Sequence, residues 1–148
     1  MALPPLDGHG LLPSGVHPGT EADLRNRFCW NPVRTQLFIQ LVAFIVVMRK
    51  DFPSEPLYVD GSFVTDKEFP NDVDVVLDGT KSPRPQLWKA VGMMALSQQA
   101  IKTQYGVDFW VDIPGQNAFS MYFQYLGIKT AAMKRLPPKH PKGIVLIQ

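Results

Sequence analysis

The stretch Leu37 to Met48 is apolar at every position but Gln40. Asn31-Pro32 stands just ahead of it and is a strong helix start. Asn caps the free N–H groups, and Pro at the first helical position loses no hydrogen bond. The prolines at 53 and 56 end what Asn31 begins, so the sequence predicts a helix from Pro32 to about Lys50. Its second half is apolar nearly all round. Such a helix has to be enclosed, either by protein or by lipid. The unbroken apolar run falls short of the roughly 20 residues a bilayer demands. The expectation is therefore a central core helix, and the rest of the chain has to supply the walls around it.

The composition agrees with a protein interior. The 148 residues are 45% hydrophobic and 19% charged, which excludes a disordered chain. That length suits one domain with a real core. The single cysteine, Cys29, excludes an internal disulfide framework and is expected to be a small core hydrophobe. The opening residues lack a basic stretch followed by an apolar one, so no secretory signal is expected; the protein reads as cytoplasmic, with no membrane partner. Residues 1–19 hold four prolines and four glycines and read as an extended arm, followed by a single domain over 20–148.

Within that domain Thr20 caps a short helix over 21–28. Leu57-Tyr58-Val59 is a strand, and Gly61-Ser62 turns the chain at its end. Residues 72–77, DVDVVL, form a second strand that is buried on at least one face. Ser82-Pro83 starts a helix running to about Gln104, with Gly106 just beyond its end. Val107 to Ile113 alternates as a third strand, with Asp108, Trp110 and Asp112 on one face. Asn117 caps a helix to Leu126, a basic Pro-rich loop covers 129–141, and residues 143–147 make a last strand. This order predicts an α+β fold, a small mixed β-sheet flanked by helices.

The chemistry concentrates between Val59 and Asp74. Asp72 and Asp74 are two apart on a strand, so both carboxylates project from one face. Held about 6–7 Å apart, they repel unless a cation sits between them. Hard oxygen ligands of this kind suit Mg²⁺ or Mn²⁺, which bind through one or two carboxylates together with substrate phosphates. Gly61 lets backbone approach a phosphate closely, and Ser62 offers a hydroxyl and an N–H.

A Gly-Ser turn after a strand, a loop of about ten residues and Asp-x-Asp on the next strand resembles the signature of the polymerase-beta-like nucleotidyltransferase superfamily. The wording DGSFVTDKEFPNDVDVVLD, the early LLPSGVHPGTEADLRNRF and the closing PKGIVLI resemble more closely a small bacterial and phage nucleotidyltransferase-like group within it. The resemblance covers most of the chain. It implies a nucleotidyltransferase-like core that moves a nucleoside monophosphate from an NTP to an acceptor, with metal ions clamping the attacking and leaving oxygens. It implies Gly61 and Ser62 as triphosphate contacts and Asp72 and Asp74 as metal ligands. A third carboxylate is expected on the strand over 107–113, where Asp108 is favoured over Asp112. Two departures stand out. Asp60 occupies a position that is apolar in the superfamily, and FVTDKEFPND looks more like an ordered loop than the helix that normally follows Gly-Ser.

Charge is distributed unevenly. Up to Asp112 there are ten basic and thirteen acidic residues, a net of −3; beyond it there are five basic residues and no acid. The tail carrying Lys129, Lys134, Arg135, Lys139 and Lys142 suits phosphates of a nucleotide or a nucleic acid. Trp110 and the aromatic set Phe119, Tyr122, Phe123 and Tyr125 read first as packing, and any surplus aromatic surface as an interface with a second copy or a partner protein. His9, His17 and His140 have no metal-ligand spacing. Two functions compete: a metal-dependent nucleotidyltransferase, and a non-catalytic interaction protein on the same scaffold, such as an antitoxin-like or phage-defence component.

Overall fold

The computed structural model describes residues 3–148. Helix α1 (Glu21–Phe28) opens with a reciprocal cap: the Asp23 N–H donates to the Thr20 hydroxyl, and the Thr20 N–H donates to the Asp23 carboxylate. Helix α2 (Pro32–Asp51) follows from Asn31, whose side chain accepts from the Arg34 N–H. Strand β1 (Gly15–Gly19) precedes both helices, and β2 (Leu57–Asp60) and β3 (Val73–Asp78) follow them. Then come α3 (Arg84–Leu96), α4 (Gln98–Tyr105), β4 (Val107–Asp112), the short helices α5 (Phe119–Tyr122) and α6 (Ile128–Met133), and β5 (Gly143–Ile147). The class is α+β, as expected.

The five strands form one mixed sheet in the order β1-β5-β2-β3-β4. The β1–β5 and β3–β4 pairs are parallel, and β2 runs antiparallel to both its neighbours. Alternation divides each strand between two faces. Val59, Val73, Val75, Leu77, Val107, Phe109, Val111 and Val145 face one side and share a core with Leu37, Leu41, Phe44, Ile45 and Met48 of α2. The Phe44 ring meets Phe109 edge-on at 5.6 Å. By length and composition α2 also passes the test for a membrane span. Its buried side chains are those that close the core over the sheet.

The structure corrects the sequence reading in four places. Residues 15–19 of the expected arm are an edge strand, and Leu3, Leu11 and Leu12 are buried. Pro18 hid the strand, yet an edge tolerates proline because one side of it needs no partner. The helix expected over 83–104 is two helices, broken at Ser97, and Pro83 stands at its start with no side-chain cap from Ser82. The helix expected over 117–126 contracts to α5, and the basic loop contains α6. Cys29 is half-buried at the core's edge.

Candidate metal centre

The other face of the sheet carries the carboxylates. Asp60 of β2 lies opposite Asp74 of β3, and Asp74 lies opposite Asp108 of β4, so three adjacent strands present one row of acids. Asp72 stands two residues before Asp74, on the same side. Asp72, Asp74 and Asp108 each offer a carboxylate oxygen, and these three lie within 4.8 Å of one another. The sequence brought exactly these residue types together through register: β3 and β4 are parallel, so equivalent positions fall side by side.

Burial makes the row electrostatically costly. Asp74 is pushed up to about 6, chiefly by burial, although a hydrogen bond from the Trp110 indole N–H (3.1 Å) works the other way. Asp72 is raised by burial and by Asp108 beside it. Asp60 is fully buried and raised well above the ordinary carboxylate range by burial, then by Asp74. Among the described residues neither of its carboxylate oxygens has a hydrogen-bond partner. Lys142 is buried near this row, with its ammonium 3.5 Å from the Gly61 carbonyl, and burial lowers its pKa. The Lys102 ammonium of α4 lies 3.3 Å from Asp72 and 3.2 Å from Asp108. Both carboxylates raise its pKa, and it is half exposed, so the pair contributes little to stability.

Gly61 follows β2 with φ +79°, in the left-handed region. A Cβ built there would fall 1.9 Å from an Asp74 carboxylate oxygen. The glycine is thus required twice, by its backbone angle and by the approach of the Asp74 carboxylate. Residues Gly61–Val64 form a single 3₁₀ turn, where the sequence suggested an ordered loop. Gly61→Ala should displace Asp74 and destabilise the protein by about 1–3 kcal/mol, read as a lower melting temperature. An unchanged melt would show that Asp74 moves aside freely.

Arg34 holds the turn from behind. It is fully buried, and its guanidinium donates to the carbonyls of Phe28, Ser62, Phe63, Thr65 and Lys67. The Trp30 ring stacks on it at 3.7 Å. Burial lowers its pKa to about 10.

A cavity of about 520 Å³ is lined by Gly61, Ser62 and Asp74 together with Lys134, Lys142, Tyr122 and Phe123. Lys134 is engaged by the Asp66 carboxylate at 2.7 Å. The volume is within the range of small-molecule sites.

Asp112 does not join the group. It lies opposite Asp78, four residues along the strand from the Asp74–Asp108 pair, which is about 13 Å. Its carboxylate accepts the Ser120 N–H at 3.2 Å and the Ser120 hydroxyl at 2.5 Å, anchoring α5. Trp110 shares its face with the acids as expected, and packs against Phe119 and Phe123.

The sequence reading did not single out Arg34 or Lys102, placed Lys142 only in the basic tail, and noted Asp60 only as a departure. Arg34 had one visible signal: a lone cation at the start of an apolar helix, with no acid within a turn. Lys102 had none, because its place beside Asp72 and Asp108 depends on how α4 packs on the sheet, and the burial of Lys142 beside Asp60 depends on the pairing of distant strands.

Residues 4–148 match the family described as "Family of unknown function (DUF6932)". The chain belongs to this family. No curated protein and no solved structure matches it. The match spans both the acidic row and the basic tail, so the whole site lies within the DUF6932 region.

Proposed function

We propose that the chain is a metal-dependent nucleotidyltransferase-like protein. The observation that carries this reading is the convergence of Asp72, Asp74 and Asp108 to within 4.8 Å beside the Gly61-Ser62 turn and its cavity. The donor set fits Mg²⁺ or Mn²⁺: all oxygens, all from carboxylates, with room beside them for phosphate oxygens. Opposite ligands of an octahedral Mg²⁺ lie about 4.2 Å apart, twice its bond length, so a small side-chain rotation closes the group. Burial disfavours the charged forms of Asp72 and Asp74, a cost that a cation between them would relieve.

When bound, a divalent ion would neutralise phosphate charge and polarise the phosphoryl group for transfer. The chain's own residues do the rest. Ser62 and the Gly61 turn face the cavity and offer donors to a triphosphate, and Lys142 and Lys134 add positive charge to its walls. Asp74 lines the cavity and belongs to the acidic group, so it would hold an ion on the side where a phosphate could reach it. Trp110 fixes its rotamer through the indole N–H.

The test is thermal melting with Mn²⁺ and NTP. At a ligand concentration a hundredfold above Kd, stabilisation should reach about 2.7 kcal/mol. Asp72→Asn/Asp74→Asn should abolish it. Equal responses in the two proteins would overturn the site.

Lys102 favours a second reading, an interaction protein that keeps the scaffold without catalysis. Its ammonium already bridges Asp72 and Asp108. On that reading Lys102→Met leaves stability nearly unchanged and creates no metal response. On the first reading it strengthens the Mn²⁺ response, because a competing cation has gone.

A further inference from the structure

A second cavity, of about 510 Å³, lies beside the first, between Met121, Tyr122, Tyr125, Ile128 and Lys139. The two share a wall formed in part by Tyr122 and Tyr125. Both tyrosines are exposed, Tyr122 at 68% and Tyr125 at 45%. Exposed aromatic rings of this kind offer flat faces at small cost in conformational entropy. In the sequence Pro137 and Pro138 stand between these rings and Lys139, whereas the fold sets Lys139 beside them. Leu126 donates its N–H to the His140 carbonyl, and Tyr125 bridges Pro141.

Lys139 is the charged residue of the groove's own lining. Lys129, Arg135 and Lys139 are exposed, and the segment after Asp112 contains no acid. Two of these cations, Arg135 and Lys139, have backbone φ of 56° and 60°. Left-handed backbone at non-glycine residues is costly, and such strain concentrates at functional sites.

We propose that this groove binds single-stranded nucleic acid, with unpaired bases stacked on Tyr122 and Tyr125 and phosphates met by Lys129, Arg135 and Lys139. Aromatic faces with flanking cations are the chemistry that holds a single strand without reading its sequence. A duplex hides its base faces, and an apolar peptide would leave the cations unmatched. A strand lying in the groove passes along the shared wall into the first cavity, which places its end near Asp74 as the acceptor. That last placement rests on the nucleotidyl-transfer reading; the binding itself does not.

The experiment uses the full chain and a fluorescein-labelled oligo(A) RNA 12-mer, in EDTA, followed by anisotropy across a salt series. Binding should weaken with salt, with log K falling by about 0.7 per phosphate neutralised for each unit of log salt. Tyr122→Leu and Tyr125→Leu keep apolar bulk and lose the rings; each should weaken binding about five- to a hundredfold. Lys139→Gly removes the charge at a position where glycine is at ease, so the fold is retained and the salt slope falls by about 0.7. Binding that ignores all three substitutions, equal affinity for a 12-bp duplex, or displacement by polyglutamate as readily as by unlabelled RNA would overturn the proposal. The Mn²⁺ and NTP melt, run in parallel on the same protein, reports separately on the site at Asp74. Loss of one result therefore leaves the other standing.

Discussion

Arg34→Ala should cost about 4 kcal/mol and lower the melting temperature by about 10–15 °C. The side chain is fully buried, and no carboxylate accepts from it. Its partners are five backbone carbonyls, four of them in the stretch Ser62 to Lys67. The Ser62 carbonyl also accepts from the Thr65 N–H and hydroxyl, so the loss falls mainly on the other four. Alanine leaves the inner ones without a donor and opens a cavity under Trp30. Hydrogen bonds from a charged donor contribute about 1.5–3 kcal/mol each, and the desolvation of the guanidinium offsets part of their sum. Lysine has three donors on a point charge and lacks the planar fork, so Arg34→Lys should recover less than half of the loss. Circular dichroism melting of the three proteins checks this. A deficit under 1 kcal/mol for alanine would mean that water reaches the carbonyls and that the turn does not hang on Arg34.

The same contacts show what was legible in the sequence. The caps at Thr20 and Asn31 were readable because each is a local event, settled within four residues. The alternation of β3 and β4 told which of their residues share a face. The pairing of the strands was not readable, and pairing is what makes the site. Asp74 meets Asp108 only because β3 and β4 run parallel in one particular register, and a shift of four residues would have offered Asp112 instead. Asp108 stands inside the strand, and the register sets it beside Asp74. β1 escaped notice because its partner is the last strand, more than 120 residues away in the sequence, and its own composition of Gly, His and Pro has no strand preference. The break at Ser97 was hidden because the apolar stripe continues through it.

Register also explains the charge asymmetry. The acidic row is assembled from the body of the chain, and the basic tail returns to it through β5, which lies beside β2. Lys142, at the start of β5, is carried into the neighbourhood of Asp60 and Asp74. Lys102 approaches the same row from α4, over the edge formed by β4. Two cations from distant segments thus converge on acids that burial would otherwise make untenable. Neither removes the penalty at Asp74, whose nearest polar partner is a neutral indole.

That residual penalty makes Asp74→Asn a stabilising substitution in the metal-free protein. Asp74 titrates near 6 in the fold and near 3.8 when exposed. Between those values the folded chain holds more protons than the unfolded one, so stability falls as pH rises through this window. Below about 4 the acid is neutral in both states and contributes nothing. Above about 6 the full cost is present, about 3 kcal/mol for a displacement of this size. Asparagine has no charge to bury, and its side-chain oxygen still accepts from Trp110. The weaker neutral hydrogen bond takes back part of the gain, which leaves about 2 kcal/mol. At pH 7.5 in EDTA the melting temperature of Asp74→Asn should therefore exceed that of wild type by about 4–8 °C, and the difference should vanish by pH 4. Mn²⁺ should reverse the order at pH 7.5, because wild type gains a ligand and Asp74→Asn does not. As pH falls through 6, protons compete with the ion for Asp74, and the wild-type response to Mn²⁺ should fade. Melting curves at pH 4 and 7.5, each with and without Mn²⁺, measure all of this. A substitution that destabilises at pH 7.5 in EDTA would show that the Asp74 carboxylate is stabilised by its neighbours, and that no cation is needed to hold it there.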